Sequence, residues 1–363
     1  MSKKKDESEV KLEELGKNLS RQIKKGKNPE IKFLLRNISN IVYDQKNKIL
    51  KLGDKKISRS FFNVAHAKRF LQTVEIARII KKELLKSGKH EHLRGIFYMA
   101  KRTIPGTNVN LVDEQIESDK AIEDLEVITG LSREQLHTSA NKMGSVVGKV
   151  VIQDGKDIID WSRLGRGGWS IPSITDEIVL KKVSAKYVLY MEKAAIFERL
   201  NEDRFWEKNN CILVTSQGQT TRGVRRLLQR LYDEHKLPIY VLCDNDPWGY
   251  YIYSVIKYGS IALAHASERL TIPGVKYLGI TTDDIEKYDL KKHLIKMNDK
   301  DINRLKQISE YKWFKDNKQW QRQFKMMKQN KAKAEIQALS SKGISFISEK
   351  YLPEKIKNKE FLD

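Results

Sequence analysis

The sequence predicts a mixed α/β protein, with a module of short helices first and an α/β domain on a parallel sheet second. Three observations carry this. From Ala185 to Tyr258, near-continuous apolar runs alternate with helical patterns, as in a parallel sheet covered on both faces. From Ala65 to Asn141, short helical patterns are separated by tight turns. Between the two, Arg163–Ser173 is rich in Gly, Pro and Ser and reads as a linker.

The elements follow in order. Residues 1–30 are highly charged and poor in aromatics; they read as an arm, with a frayed helix over Val10–Leu19. Residues 31–60 read as short strands, with Ile41–Tyr43 and Ile49–Leu52 flanking polar Asp44–Lys48. Over Ala65–Leu85, Phe70, Val74, Ile76, Ile79, Ile80 and Leu84 recur at helical spacing, and Ser87-Gly88 ends the pattern. A second helix spans His92–Arg102. Two more follow at 113–128 and 132–142, the latter opened by Ser132–Gln135 in the form of a capping box. With the β-like segment Val146–Ile152 these suggest a winged-helix arrangement, although a plain helical subdomain satisfies the same pattern. The resulting division is an arm and short strands at 1–64, the winged helix at 65–160, a linker at 161–180, and the α/β domain with a helical C-terminal extension at 181–363.

In the second domain Ala185–Met191, Cys211–Thr215 and Pro238–Cys243 read as strands, and Ala194–Leu200, Thr221–His235 and Tyr250–Tyr258 as helices. In the C-terminal third Trp313, Trp320, Phe324 and Met327 share a face, a spacing that favours core packing over a nucleic-acid platform.

Charge narrows the partner. The 363 residues carry a formal net charge of +22, which points to an anionic partner, with nucleic acid the first candidate. Cys211 and Cys243 sit in apolar runs and read as buried free thiols of a reducing compartment. The basic Met1–Lys5 tract leads into no apolar stretch, so no secretion signal or membrane span is expected, and an intracellular, nucleoid-associated location is.

Acidic residues fall where a parallel sheet places its chemistry. Glu192 follows one strand, and Asp244 and Asp246 follow another; functional crevices lie beyond the carboxyl ends of such strands. Three converging carboxylates repel unless a cation holds them, and hard oxygen donors select Mg²⁺ or Mn²⁺. Helix capping and an ordinary turn explain each of these residues taken singly, but their joint pattern in a basic chain favours the metal site. Asp244–Val255 is not an EF-hand, because its twelfth position is Val255. Gly218–Gly223 is not a phosphate-binding loop, because Val224 and Arg225 stand where Lys and Ser/Thr are required. Arg222, Arg225 and Arg226 could hold DNA phosphates or form a solvated basic face.

The segment around residue 98 has two faces. Leu93, Ile96, Phe97 and Ala100 should face a core, while Arg94, Tyr98, Lys101 and Arg102 gather on another side. The cations could bind a phosphodiester and favour the phenolate of a nucleophilic tyrosine. A surface tyrosine with stacked arginines is common, and the pattern alone favours that reading.

Here the sequence resembles a known family. Leu93–Tyr98 resembles the catalytic-tyrosine motif of topoisomerase VI A subunits and meiotic double-strand-break proteins, Arg-x-x-Tyr-Tyr, with Arg94 and Tyr98 matching and Phe97 in place of the first tyrosine. Glu192 and Asp244–Gly249 resemble the Toprim metal site of the same family, with Trp248 at the third acidic position of many Toprim sites. Gly218 with Arg225–Leu228, and the tract Lys333–Gly343, also look like family segments. The resemblance covers roughly residues 65–355. It implies a CAP-like winged helix followed by a Toprim domain, with Tyr98 as nucleophile and Arg94 beside it. Glu192, Asp244 and Asp246 would bind Mg²⁺, and Lys101, Arg102, Arg222, Arg225 and Arg226 would contact DNA. It further implies a homodimer acting on double-stranded DNA, joined by a gyrase-type ATPase B subunit into an A2B2 heterotetramer. ATP would bind to that partner, and the Toprim metal would be supplied by the other protomer. A meiotic-type break-forming protein and a Toprim nuclease are the competing readings.

Overall fold

In a computed structural model of the chain, residues 6–363 are described, so the basic Met1–Lys5 tract lies outside the described residues. The chain forms two compact units. The first takes residues up to Val42, Lys51–Asn141 and Ile261–Ala266; the second takes Tyr43–Leu50, Lys142–Ser260 and Ser267–Asp363. No helix among the described residues is long and apolar enough to cross a membrane.

The elements begin with α1 (Glu7–Lys24), β1 (Glu30–Leu34), the short strands β2 (Ile41–Asp44) and β3 (Ile49–Leu52), which straddle the division between the units, and β4 (Lys56–Ser60), which pairs antiparallel with β1 in the first unit. The stretch expected as an arm is thus an ordered helix over most of its length. Leu12 and Leu19 are 4% and 7% exposed, because Leu12, Leu15 and Leu19 form one apolar stripe that the unit buries. Next come α2 (Val64–Ile79), which runs on through a π-helical stretch to Leu85, then β5 (Glu91–His92), α3 (Leu93–Ala100) and α4 (Gln115–Thr129). Ile76, Ile80, Leu84, Ile96, Ala100, Ile122 and Leu125 make their common core. The α4 helix stops at Gly130, whose φ of +69° suits a residue without a Cβ.

The helix expected at 132–142 does not form. Its capping interactions do: Gln135 Oε1 accepts from the Ser132 amide and Ser132 Oγ from that of Gln135. After one turn His137 adopts φ +54°, and the chain runs straight as β6 (Thr138–Ser139), parallel to β5. Buried Leu136 and Thr138 hold this course, so tertiary burial overrides a sound local start signal.

The expected wing is also reassigned. Within Val146–Ile152, β7 (Ser145–Val147) joins the main sheet of the second unit, while β8 (Val150–Asp154) pairs with β9 (Asp157–Asp160) and β11 (Val179–Val183). The expected linker at 161–180 lies inside this unit. Trp161 and Ile171 are fully buried and β10 (Trp169–Ser170) pairs with β7, so the unit boundary falls at Asn141/Lys142. Its glycines serve tight turns; a Cβ on Gly168 would sit 2.7 Å from the Val146 carbonyl oxygen.

The main sheet has the order β10-β7-β13-β12-β14-β15, with β12 (Tyr187–Met191), β13 (Cys211–Thr215), β14 (Ile239–Leu242) and β15 (Lys276–Gly279). These four run parallel, and the antiparallel β7 and β10 form one edge. Every residue of β12 and β13 is buried, which their unbroken apolar composition requires. Between the strands lie α5 (Ala194–Glu202), α6 (Phe205–Lys208), α7 (Arg222–His235), α8 (Pro247–Tyr258) and α9 (Ser267–Leu270). Beyond β15 come α10 (Thr282–Lys287), β16 (Ile295–Lys296), α11 (Asp299–Ser309), α12 (Lys312–Lys315), α13 (Lys318–Asn330), β17 (Ala332–Lys333) and α14 (Leu352–Lys357). Trp320, Phe324 and Met327 of α13 are buried in an aromatic cluster with Tyr250 and Tyr253 of α8. Both cysteines are buried and free.

Candidate active site

The path of the chain through the parallel sheet creates a crevice. From β12 the chain passes through α5 to β13 on one side; from β14 it passes through α8 to β15 on the other. Adjacent strands whose connections leave in opposite directions part at their carboxyl ends, and β12 and β14 are such a pair. Glu192 directly follows β12, and Asp244 and Asp246 follow β14.

Each carboxylate is fixed differently. Asp244 is 6% exposed; its Oδ1 accepts from the Ile336 amide at 2.8 Å and its Oδ2 from Lys193 Nζ at 2.7 Å. Asp246 is the N-cap of α8 and accepts from the Gly249 amide at 2.6 Å. Asn245 between them is fully buried, donating to Tyr250 Oη at 2.7 Å and exchanging backbone hydrogen bonds with Ala334. The Glu192 backbone is held by the Gly218 amide at 3.0 Å, yet its buried Oε2 has no hydrogen-bond partner.

Electrostatics follow from burial and crowding. Glu192 is pushed up to about 7, first by burial and then by the charges of Asp244 and Asp246. Asp246 is raised to about 6, mainly by burial. Asp244 is raised less, because Lys193 and the Ile336 amide oppose its desolvation. Among the described residues no three His, Cys, Asp or Glu side chains stand as a finished cage for an ion. The donor chemistry nevertheless fits a hard divalent cation: carboxylates that burden one another, and a buried carboxylate oxygen with nothing to bind.

Sequence reasoning missed the residues that hold the crevice. Lys193 bridges Asp244, Glu335 at 3.4 Å and Gln337 Oε1 at 3.0 Å. Its signal was its place next to Glu192, and that of Glu335 and Ile336 was the Lys333–Gly343 tract. Trp248 is turned toward α11, where its Nε1 donates to Asp301 and Arg304 stacks over its ring at 4.3 Å.

In the first unit α3 presents the expected two faces. Ile96, Phe97 and Ala100 are buried, and Tyr98 is 58% exposed. The helix stops at Ala100 instead of reaching Arg102. Arg94 is exposed on its first turn; Lys101 is the C-cap residue, with its ammonium over the Phe97 ring; Arg102 lies beyond and pairs with Glu75 at 2.6 Å.

The expected arginine row on α7 is corrected. Arg225 is 2% exposed and its Nε donates to the Leu270 carbonyl inside the unit, so no duplex can reach it. Burial and the neighbouring Arg222 push it down to about 9. Arg222 is 9% exposed, and Arg226 pairs with Asp176 at 2.7 Å. The cause is that α7 is covered on most sides, with Gly223, Val224, Leu227, Leu228 and Leu231 all buried.

A parallel sheet with acidic residues at this switch point defines the class, a Toprim domain. Two family models match the chain. One describes the Toprim domain of Spo11 and of the topoisomerase 6 A subunit, and matches residues 187–356; the other describes type IIB DNA topoisomerase, and matches residues 68–138. The A subunit of type 2 DNA topoisomerase 6 from Pyrococcus abyssi is 44% identical over 362 residues, spanning 97% of this chain and 94% of that protein. The protein of the same name from Methanocaldococcus jannaschii is 35% identical over 355 residues, spanning 96% and 94%. The A3 subunit of DNA topoisomerase 6 from Oryza sativa is 35% identical over 325 residues, spanning 89% and 72%. The chain belongs to the family of topoisomerase 6 A subunits, the DNA-cleaving subunits of type IIB topoisomerases. Toprim domains of this family generally bind Mg²⁺.

Proposed function

We propose that Tyr98 is the residue with which this subunit cuts DNA, and that Glu192, Asp244 and Asp246 hold the Mg²⁺ that assists it. The observation that carries this reading is the exposure of Tyr98, 58%, on a helix whose opposite face is locked in a core. Phe97, at the family's first tyrosine position, is buried and has no hydroxyl, so Tyr98 alone can react there.

The Tyr98 hydroxyl gives up its proton and its oxygen attacks a backbone phosphorus. A phosphorus–oxygen bond to the tyrosine forms, the bond to the 3′ oxygen breaks, and that oxygen leaves as a 3′ hydroxyl. The protein keeps a 5′-phosphotyrosyl link. One ester replaces another, so resealing is the reverse step and needs no ATP. Arg94, Lys101 and Arg102 hold the phosphate against the phenol. Bound Mg²⁺ supplies positive charge at the phosphodiester and its leaving oxygen. In the complete enzyme two A subunits cut opposite strands, each Tyr98 served by the Toprim site of the other protomer. A gyrase-type ATPase B subunit binds the ATP that drives duplex passage, in an A2B2 assembly.

The test is a denaturing trap for protein-linked DNA, using the chain with a B subunit, supercoiled plasmid, Mg²⁺ and an ATP analogue. Wild type should give a 5′-linked adduct and Tyr98→Phe none, with DNA binding kept. Cleavage by both proteins without an adduct would replace this reading with a Toprim nuclease. Adducts without strand passage would mark a break-forming protein of the meiotic type.

A further inference from the structure

Lys193 stands inside the carboxylate centre, and the cleavage chemistry gives it no task. It is the N-cap residue of α5, and its side chain is 22% exposed. Its ammonium meets three acceptors: Asp244 Oδ2 at 2.7 Å, Gln337 Oε1 at 3.0 Å and Glu335 Oε2 at 3.4 Å. The other oxygen of Asp244 already accepts from the Ile336 amide at 2.8 Å. Both oxygens of Asp244 therefore already accept from a donor, while Glu192 Oε2 has no partner.

This arrangement sets two cations in competition. A divalent ion bound to Asp244 Oδ2 at the usual ~2.1 Å would stand no more than ~5 Å from the ammonium in its present position. Like charges at that range inside a mostly buried site repel strongly. Lys193 has somewhere to go, because Glu335 and Gln337 already touch its ammonium and the Glu335 side chain is 51% exposed.

We propose that Lys193 is a tethered counter-cation that occupies the Asp244 arm of the centre until a divalent ion displaces it, and that Glu335 and Gln337 receive its ammonium when that happens. The proposal rests on the reading of Glu192, Asp244 and Asp246 as the metal site. Its consequence is a centre that stays charge-balanced without metal, at the cost of weaker metal binding.

Mn²⁺ binding to the full chain, followed by the electron paramagnetic resonance of the free ion, tests it. Lys193→Met and Lys193→Gln should each tighten Mn²⁺ binding roughly tenfold, by removing a competing charge at short range. Glu335→Gln should weaken binding in the wild-type background, because the ammonium loses the negative charge of its acceptor, and have much less effect alongside Lys193→Met. The glutamine variant keeps a hydrogen bond to Asp244 and so gives the answer even if the methionine variant misfolds. Equal or weaker affinity in the folded Lys193 variants would overturn the proposal, as would a Glu335→Gln effect of the same size in both backgrounds. Saturable binding that Asp244→Asn leaves untouched, or no binding in any variant, would instead overturn the metal-site reading on which the proposal stands.

Discussion

Glu192 carries its charge where little compensates it. Burial and the neighbouring Asp244 and Asp246 raise it from an ordinary 4.5 to about 7. Between those two values the folded protein holds a proton that the unfolded chain has lost. The stability linked to this group is therefore full below pH 4.5 and lost as pH rises through about 7. Asp246, raised to about 6, adds in the same direction over a lower window. In the absence of divalent metal, melting temperature should fall between pH 5 and pH 8. Glu192→Gln should lessen that slope and gain on the order of a few degrees over wild type at pH 8. Thermal melts of both proteins in chelator check this, and an unchanged slope would show that the Glu192 charge is relieved some other way. For the same reason Mn²⁺ affinity should rise with pH across this window, as the proton that competes with the ion is lost.

At the scale of elements, the loop from β14 into α8 shows how little room the site leaves. A Cβ on Gly249 would lie 2.4 Å from the Asp244 carbonyl oxygen and 3.1 Å from Cys243 Cβ. The Gly249 amide is also the donor that fixes Asp246. Gly249→Ala should thus cost about 1–3 kcal/mol of stability as overpacking does, and should weaken Mn²⁺ binding more than an equally destabilising change elsewhere. A denaturant melt paired with the Mn²⁺ titration separates the two effects; loss of stability with normal affinity would show that the loop shifts as a unit. This loop was partly legible in the sequence: a capping role was open to Asp246, but the helix expected from Tyr250 begins at Pro247, a residue suited to the first helical position. The segment 132–138 was not. Its Ser132–Gln135 cap forms, but the burial of Leu136 and Thr138 ends the helix that the cap begins.

Across the whole molecule the net charge is +22; on the proposed reading this charge would govern how the protein meets DNA, and the carboxylate centre whether it cuts. The two should separate. Chelating divalent metal should abolish covalent adducts while leaving duplex affinity and its fall with salt nearly intact, because phosphate neutralisation by Lys and Arg is independent of the metal. Filter binding at several salt concentrations, beside the adduct trap, reads both. A metal-dependent salt slope would place the metal in DNA binding as well as in chemistry.

What the sequence determined by itself is the part governed by near neighbours. The strands around Tyr187–Met191, Cys211–Thr215 and Ile239–Leu242, the buried and exposed faces of the Tyr98 helix, and the acidic residues at strand ends all follow from apolar runs and periodicity. What only the tertiary structure decided depends on residues distant in the chain. Lys193, Glu335 and the Ile336 amide meet at Asp244 because β12, β14 and the segment after β17 converge. Ser145–Val147 became a sheet edge and the Gly-rich 161–180 stretch part of a domain through pairing partners that no local pattern specifies. Arg225 went inward for the same reason: a basic helix looks solvated until the surfaces that cover it are known.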